Sequence, residues 1–153
     1  MASSQSDPAA AAGYPKQLSA RIGFLLAQAH IRAREESDKS LSPLGLSAKA
    51  YGALATVMSD GPISQQQLGK RIAVDPATMV DVIDSLEESG YILRERNTED
   101  RRQYALQATP KGRALYKRAL RALIAAEKRT IRNLDSKEAT VLADLLSRIA
   151  GPT

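Results

Sequence analysis

The chain has 153 residues and a formal charge of +5, enough for one domain with its own core and too few to expect two. Aromatic residues make up 4%, with one Phe and no Trp, so the core must be built from Leu, Ile, Val and Ala, which favours packed helices over a β-sandwich. The absence of cysteine excludes disulfides, zinc–thiolate sites and thiol redox sensing, and the lack of a long apolar run or a secretory signal leaves a cytoplasmic protein as the expectation.

Residues 1–15, rich in Ser, Ala and Pro, read as a disordered tail with little to bury. Leu18, Ile22, Leu25, Leu26 and Ala29 recur at helical spacing and predict an amphipathic helix over about 17–37. Pro43 and Gly45 break the chain, and Ser47 is placed to cap a second helix over about 48–59. After Asp60-Gly61-Pro62, the run Ser64-Gln65-Gln66-Gln67 has the form of a capping box, opening a short helix over about 65–72. Asp75-Pro76 then opens another over about 76–88, with Met79, Val82, Ile83 and Leu86 as its buried stripe and Gly90 as its stop. Two helices joined by so tight a turn, the second well capped, describe a helix-turn-helix.

Residues 91–96 and 103–108 then alternate like the two strands of a hairpin, with Tyr104 and Leu106 on one face. Thr109 and Pro110 begin a long helix to about Asn133, and Asp135 to Glu138 forms a second capping box before a last helix carrying Val141, Leu142, Leu145, Leu146 and Ile149. The fold class expected is mainly α with a small β-hairpin: a winged helix-turn-helix over about 47–112 within a single 16–150 domain, and helical arms at about 17–37 and 110–150. A winged helix alone needs fewer residues than this. The extra amphipathic arms need a hydrophobic partner, either one another or a second copy of the chain.

The hairpin tip, "NTEDRR", carries the paired arginines Arg101 and Arg102. Two neighbouring guanidinium groups repel each other on a solvated turn, but a polyanion accommodates both. A narrow minor groove concentrates negative potential and accepts an inserted Arg, and Asp100 is placed to orient Arg102 through a bidentate pair.

The stretch from Gly61 to Gly112 resembles the DNA-binding lobe of MarR-type transcriptional regulators. The match is strongest at Asp100-Arg101-Arg102, followed by Thr109-Pro110-Lys111-Gly112, where the family has Asp-x-Arg leading into Leu-Thr-x-x-Gly. Ala108 stands where Leu is usual. The resemblance implies a homodimer held by the first and last two helices, acting on a pseudo-palindromic double-stranded operator. It implies that Ala77, Thr78, Val80 and Asp81 lie near base edges in the major groove. Arg102, aided by Asp100, would reach the minor groove, with Arg101 near phosphate. Phosphate attraction is then expected from Ser64, Gln66, Lys70, Arg71, Arg94, Arg96, Lys111 and Arg113. Regulators of this kind often take a small aromatic or anionic effector, for which His30, Arg34 and Tyr51 are the candidates.

One feature resists that reading. Residues 75–90 hold Asp75, Asp81, Asp84, Glu87 and Glu88 and no Lys or Arg. Asp81 can accept from cytosine N4; Asp75 is expected to cap, and Asp84, Glu87 and Glu88 to point away or into solvent. The acidity also keeps open an alternative, a winged-helix module that binds protein without specific DNA binding. An enzyme is not expected, since no phosphate loop, nucleophile elbow or HExxH is present. A lone histidine, His30, makes no metal site, and no cofactor is expected.

Overall fold

The computed structural model describes residues 13–96 and 104–151. The tail at 1–12 and the tip residues Asp100, Arg101 and Arg102 lie outside the described residues. A single turn of helix, α1 (Lys16–Ser19), is followed by α2 (Ile22–Leu41), a 3-10 turn (Ser42–Leu44) and α3 (Ala48–Asp60). Next come β1 (Ile63–Ser64), α4 (Gln65–Arg71), α5 (Pro76–Glu88), β2 (Ile92–Arg96), β3 (Tyr104–Ala108), α6 (Pro110–Thr130) and α7 (Ser136–Ala150).

The local signals explain most of these bounds. Ser47 accepts from the Ala50 amide at 3.1 Å and opens α3. Ser64 and Gln67 close their capping box at 3.2 and 3.1 Å. Asp135 and Glu138 do the same for α7. Two differences stand out. The first arm is not continuous over 17–37: Arg21 is extended between α1 and α2, and α2 runs on to Leu41, where the 3-10 turn carrying Pro43 ends it. Apolar spacing is blind to this break, because the recurrence of Leu18, Ile22 and Leu25 is the same in the sequence whether or not the backbone is extended at Arg21. The second difference is β1, a two-residue strand that the sequence reading passed over.

That short strand matters for the wing. The sheet order is β1-β3-β2, antiparallel throughout. Ile63 pairs with Leu106, and Ile92 to Arg96 pair with Ala108 to Tyr104. Strand β3 is therefore central, and Ile63, Ile92 and Leu106 join Leu54, Leu68 and Ile83 in one buried core under the helix-turn-helix. The wing is thus anchored to the domain on its inner side, while Tyr104 remains half exposed.

Helix α2 lies along α6. Arg129 donates to the Glu36 carboxylate at 2.7 Å and to Ser40 at 2.6 Å, and this contact holds the Glu36 carboxyl below its usual range. The outer faces of the arms have no such cover. Ile22 and Leu25 on α2, and Val141, Leu145 and Ile149 on α7, are all exposed, and α7 buries no residue in the single chain. Packing of α2 on α6 therefore leaves the outer apolar stripes of α2 and α7 uncovered.

Candidate nucleic-acid interface

The candidate interface centres on helices α4 and α5 and the turn between them. Helix α4 ends at Arg71, and Ile72 to Asp75 turn the chain into α5. Within that turn Ala73 has a φ of 51°, a left-handed conformation unusual for a residue with a side chain. Asp75 accepts from the Thr78 amide at 2.9 Å, and that hydrogen bond lowers the Asp75 carboxyl pKa. Pro76 follows as the first helical residue, with φ already suited to it.

Helix α5 buries Met79, Ile83 and Leu86 on one side. The opposite side presents Ala77, Val80 and Asp81, all exposed, while Thr78 is half-buried above the cap. An isolated exposed valine is ordinary, but Val80 adjoins a cleft of about 830 Å³ between α4 and α5. The cleft is lined by Gln66, Lys70, Ala73, Pro76 and Val80 among others. The fold thus gathers three expected contact residues, Gln66, Lys70 and Val80, around one concavity.

The cations divide into two groups. Lys70, Arg96 and Arg113 are exposed and carry no ion pair among the described residues. Arg71 pairs with Asp60 at 3.1 Å but stays largely exposed. Lys111 donates to the Ser89 carbonyl at 2.8 Å and lies 4.9 Å above the Tyr91 ring, so its charge is partly occupied by the turn after α5. Ser64 spends its hydroxyl on the α4 cap.

Arg94 differs from its expected place. The sequence places it near phosphate, with Asp84 and Glu87 pointing away or into solvent. Instead its guanidinium bonds to both Asp84 and Glu87, and Gln65 Oε1 lies 3.4 Å from it. Its backbone amide also donates to Glu87 at 3.3 Å. Burial works against the charge on Arg94, yet the two carboxylates outweigh it and raise the pKa further. The physical reason is proximity. Asp84 and Glu87 stand three apart on one face of α5, and β2 runs back beside that face, so a planar fork meets two acceptors. The i,i+3 acidic pair was visible in the sequence; that Arg94 would meet it was not.

The effector candidates do not converge. His30 is exposed on α2, and Arg34 forms a 3.7 Å pair with Asp38. Tyr51 on α3 stacks on Tyr116 of α6, with centroids 5.9 Å apart, and burial pushes its phenol pKa up. No hydrogen bond, ion pair or ring contact joins these three among the described residues, and none of them lines the α4–α5 cleft. Among the described residues there is also no group of His, Cys, Asp or Glu able to hold a metal ion, and no helix long and apolar enough to cross a membrane.

A helix-turn-helix with a sheet-anchored wing is now in place, and comparison with known proteins names it. The model of the MarR family matches residues 46–104. The HTH-type transcriptional regulator PecS of Dickeya dadantii is 30% identical over 115 residues, covering 73% of this chain and 69% of that protein. The chain belongs to the MarR family. Among solved MarR-like structures, CouR from Rhodococcus jostii RHA1, bound to p-coumaroyl-CoA, has a TM-score of 0.76 at 30% identity, covering 91% of this chain and 98% of its own. The Mycobacterium tuberculosis MarR family protein Rv2887, in complex with DNA, has a TM-score of 0.77 at 27% identity, covering 86% and 99%. This MarR-family chain is a DNA-binding transcriptional regulator, and the family is one of regulators rather than enzymes.

Proposed function

We propose that the chain binds a pseudo-palindromic operator as a homodimer and that a small aromatic or anionic effector alters this binding. The observation that carries the reading is the division of α5. Its inner side is fully committed to the core, and its first turns present Ala77, Val80 and Asp81 outward beside a wing held by three strands. A cap and an exposed outer side are ordinary for a folded helix; what supports the reading is that this side adjoins the α4–α5 turn and the wing strands together. In a major groove, Asp81 would accept from cytosine N4 and the small apolar side chains would admit close approach to base edges. Arg102, oriented by Asp100, would enter the adjacent minor groove, with Arg101 near phosphate. Ser64, Gln66, Lys70, Arg71, Arg96, Lys111 and Arg113 would supply backbone attraction, and Arg94 is withdrawn from that set.

The uncovered faces of α2 and α7 support the dimer. A second copy related by a two-fold axis would bury both and set two reading helices one DNA turn apart, roughly 34–36 Å. The CouR structure contains an acyl-CoA. By that similarity an effector of this chain is proposed to sit where the arms meet the winged helix, near Tyr51 and Tyr116, with His30 and Arg34 as further candidates. Such a regulator would act in the cytoplasm, where its operator is.

Selection of bound duplexes from a random pool tests the reading. A recovered inverted repeat, bound by a species that sediments as a dimer, is the expected result. Retention no better than that of unselected duplex would refute sequence-specific binding, and a monomer at micromolar concentration would refute the dimer.

A further inference from the structure

We infer that Arg94 is a positioning residue for DNA recognition, which acts by occupying Asp84 and Glu87 of the reading helix rather than by touching DNA. The inference rests on the DNA-binding role of α5 proposed above. Positions 77, 80, 81 and 84 follow one another at helical spacing, so Asp84 continues the outward face of α5. Its side chain is 47% exposed, and that of Glu87 is 36% exposed. Left alone, both carboxylates would stand beside an approaching phosphate backbone and be repelled by it. Arg94 meets both at once, and its own side chain is only 25% exposed. A guanidinium turned inward to two acceptors has little left to offer a phosphate.

The same side chain joins three elements. It extends from β2 to two positions of α5 and comes near Gln65, the first residue of α4. The wing strand, the reading helix and the start of the helix before it thus meet at one side chain. Lysine would do this less well, because a compact ammonium lacks the planar fork that meets two carboxylates in fixed geometry. The cluster of Arg94, Asp84 and Glu87 carries one net negative charge. Replacing Arg94 with a neutral residue leaves two, and neutralising all three leaves none.

The test measures binding of an operator duplex selected by the wild-type chain, across a range of salt concentrations. Arg94→Gln is expected to bind roughly tenfold or more weakly at low salt, with the deficit shrinking as salt screens the exposed carboxylates. The triple variant Arg94→Gln/Asp84→Asn/Glu87→Gln, which restores no guanidinium, is expected to regain most of that affinity. Arg94→Lys is expected to fall between wild type and Arg94→Gln. Exposed Glu88, changed to Gln in the Arg94→Gln background, measures the gain from any lost negative charge on α5 and is expected to rescue much less.

If Arg94 were itself a phosphate ligand, the triple variant would remain as weak as Arg94→Gln, and the inference would fall. A deficit in Arg94→Gln that is the same at every salt concentration would show a folding defect alone and would also overturn it. Should Arg94→Gln prove too unstable to assay, the triple variant and Arg94→Lys still decide, since a triple variant far weaker than wild type refutes the charge-occupying role. Wild-type binding with Arg94→Gln unchanged removes only this inference. Failure of the wild type to select any duplex removes the proposed function with it.

Discussion

Gly112→Ala gives the sharpest test of how the wing is attached. Gly112 sits in the first turn of α6, its amide donating to the capping hydroxyl of Thr109 at 3.0 Å. A Cβ there would lie 1.9 Å from the Tyr91 carbonyl oxygen and 2.8 Å from its carbon, both backbone atoms that cannot swing aside. Relief requires the 90–91 backbone to retreat by more than an ångström. The same backbone accepts the Thr109 amide at 3.1 Å and the Thr109 hydroxyl at 2.7 Å, so both bonds are strained or lost. Overpacking of about 1–3 kcal/mol and two hydrogen bonds of about 0.5–1.5 kcal/mol each put the loss at about 2–6 kcal/mol. For a domain of this size that lowers Tm by roughly 4–24 °C. Melting followed by circular dichroism, at one fixed protomer concentration because a dimer's Tm depends on it, is the assay. Gly69→Ala is the control. Its Cβ would meet nothing closer than 3.5 Å, and a helical Gly→Ala change is expected to gain up to about 1 kcal/mol. A Gly112→Ala chain melting within about 2 °C of wild type would refute the reasoning that this close approach holds the wing.

Ala73, with its φ of 51°, is expected to tolerate glycine well: relief of about 1–2 kcal/mol of left-handed strain exceeds the roughly 0.4–1 kcal/mol of added chain entropy, so Ala73→Gly should melt slightly higher, and a lower Tm would contradict this. Asp75 has a depressed carboxyl pKa, so its stabilising effect is complete above the ordinary Asp value of about 3.9 and is lost as pH falls through the lower folded value. The Tm gap between wild type and Asp75→Ala should therefore narrow as the medium is acidified below that range; a gap that widens would exclude the cap as its source. Leu145→Glu places a charge in the exposed apolar face of α7 and is expected to yield monomers in sedimentation, with the dimer retained if that face is not the contact. Arg101→Ala and Arg102→Ala should each reduce the slope of log affinity against log salt by about 1, and an unchanged slope in both would count against docking of the wing on DNA.

Local chemistry written into the chain determined a good deal by itself. Ser47, Ser64, Asp75, Thr109 and Asp135 marked their helix starts because an N-cap acts within three residues and needs no distant partner. The helix-turn-helix and the hairpin were legible for the same reason: their signals are periods and turns, which are properties of short segments. The combined Asp-x-Arg and Thr-x-x-Gly pattern then pointed to the family that the comparisons show.

Other features were decided only when distant segments met. The two residues of β1 carry no period of their own and become a strand only because β3 offers them an edge. Gly112 is required by the Tyr91 carbonyl that tertiary packing brings against it. The partners of Arg94 could not be read from a list of cations, since a charge faces solvent, phosphate or carboxylate according to what the fold sets beside it. The direction of the apolar arms follows the same rule. Spacing defines a stripe, but only the packing of α2 on α6 shows which stripe stays uncovered in a single chain. A helix cap is settled over a few ångströms of contiguous chain, whereas a charge or an apolar face is settled by neighbours that the chain reaches only after it has folded.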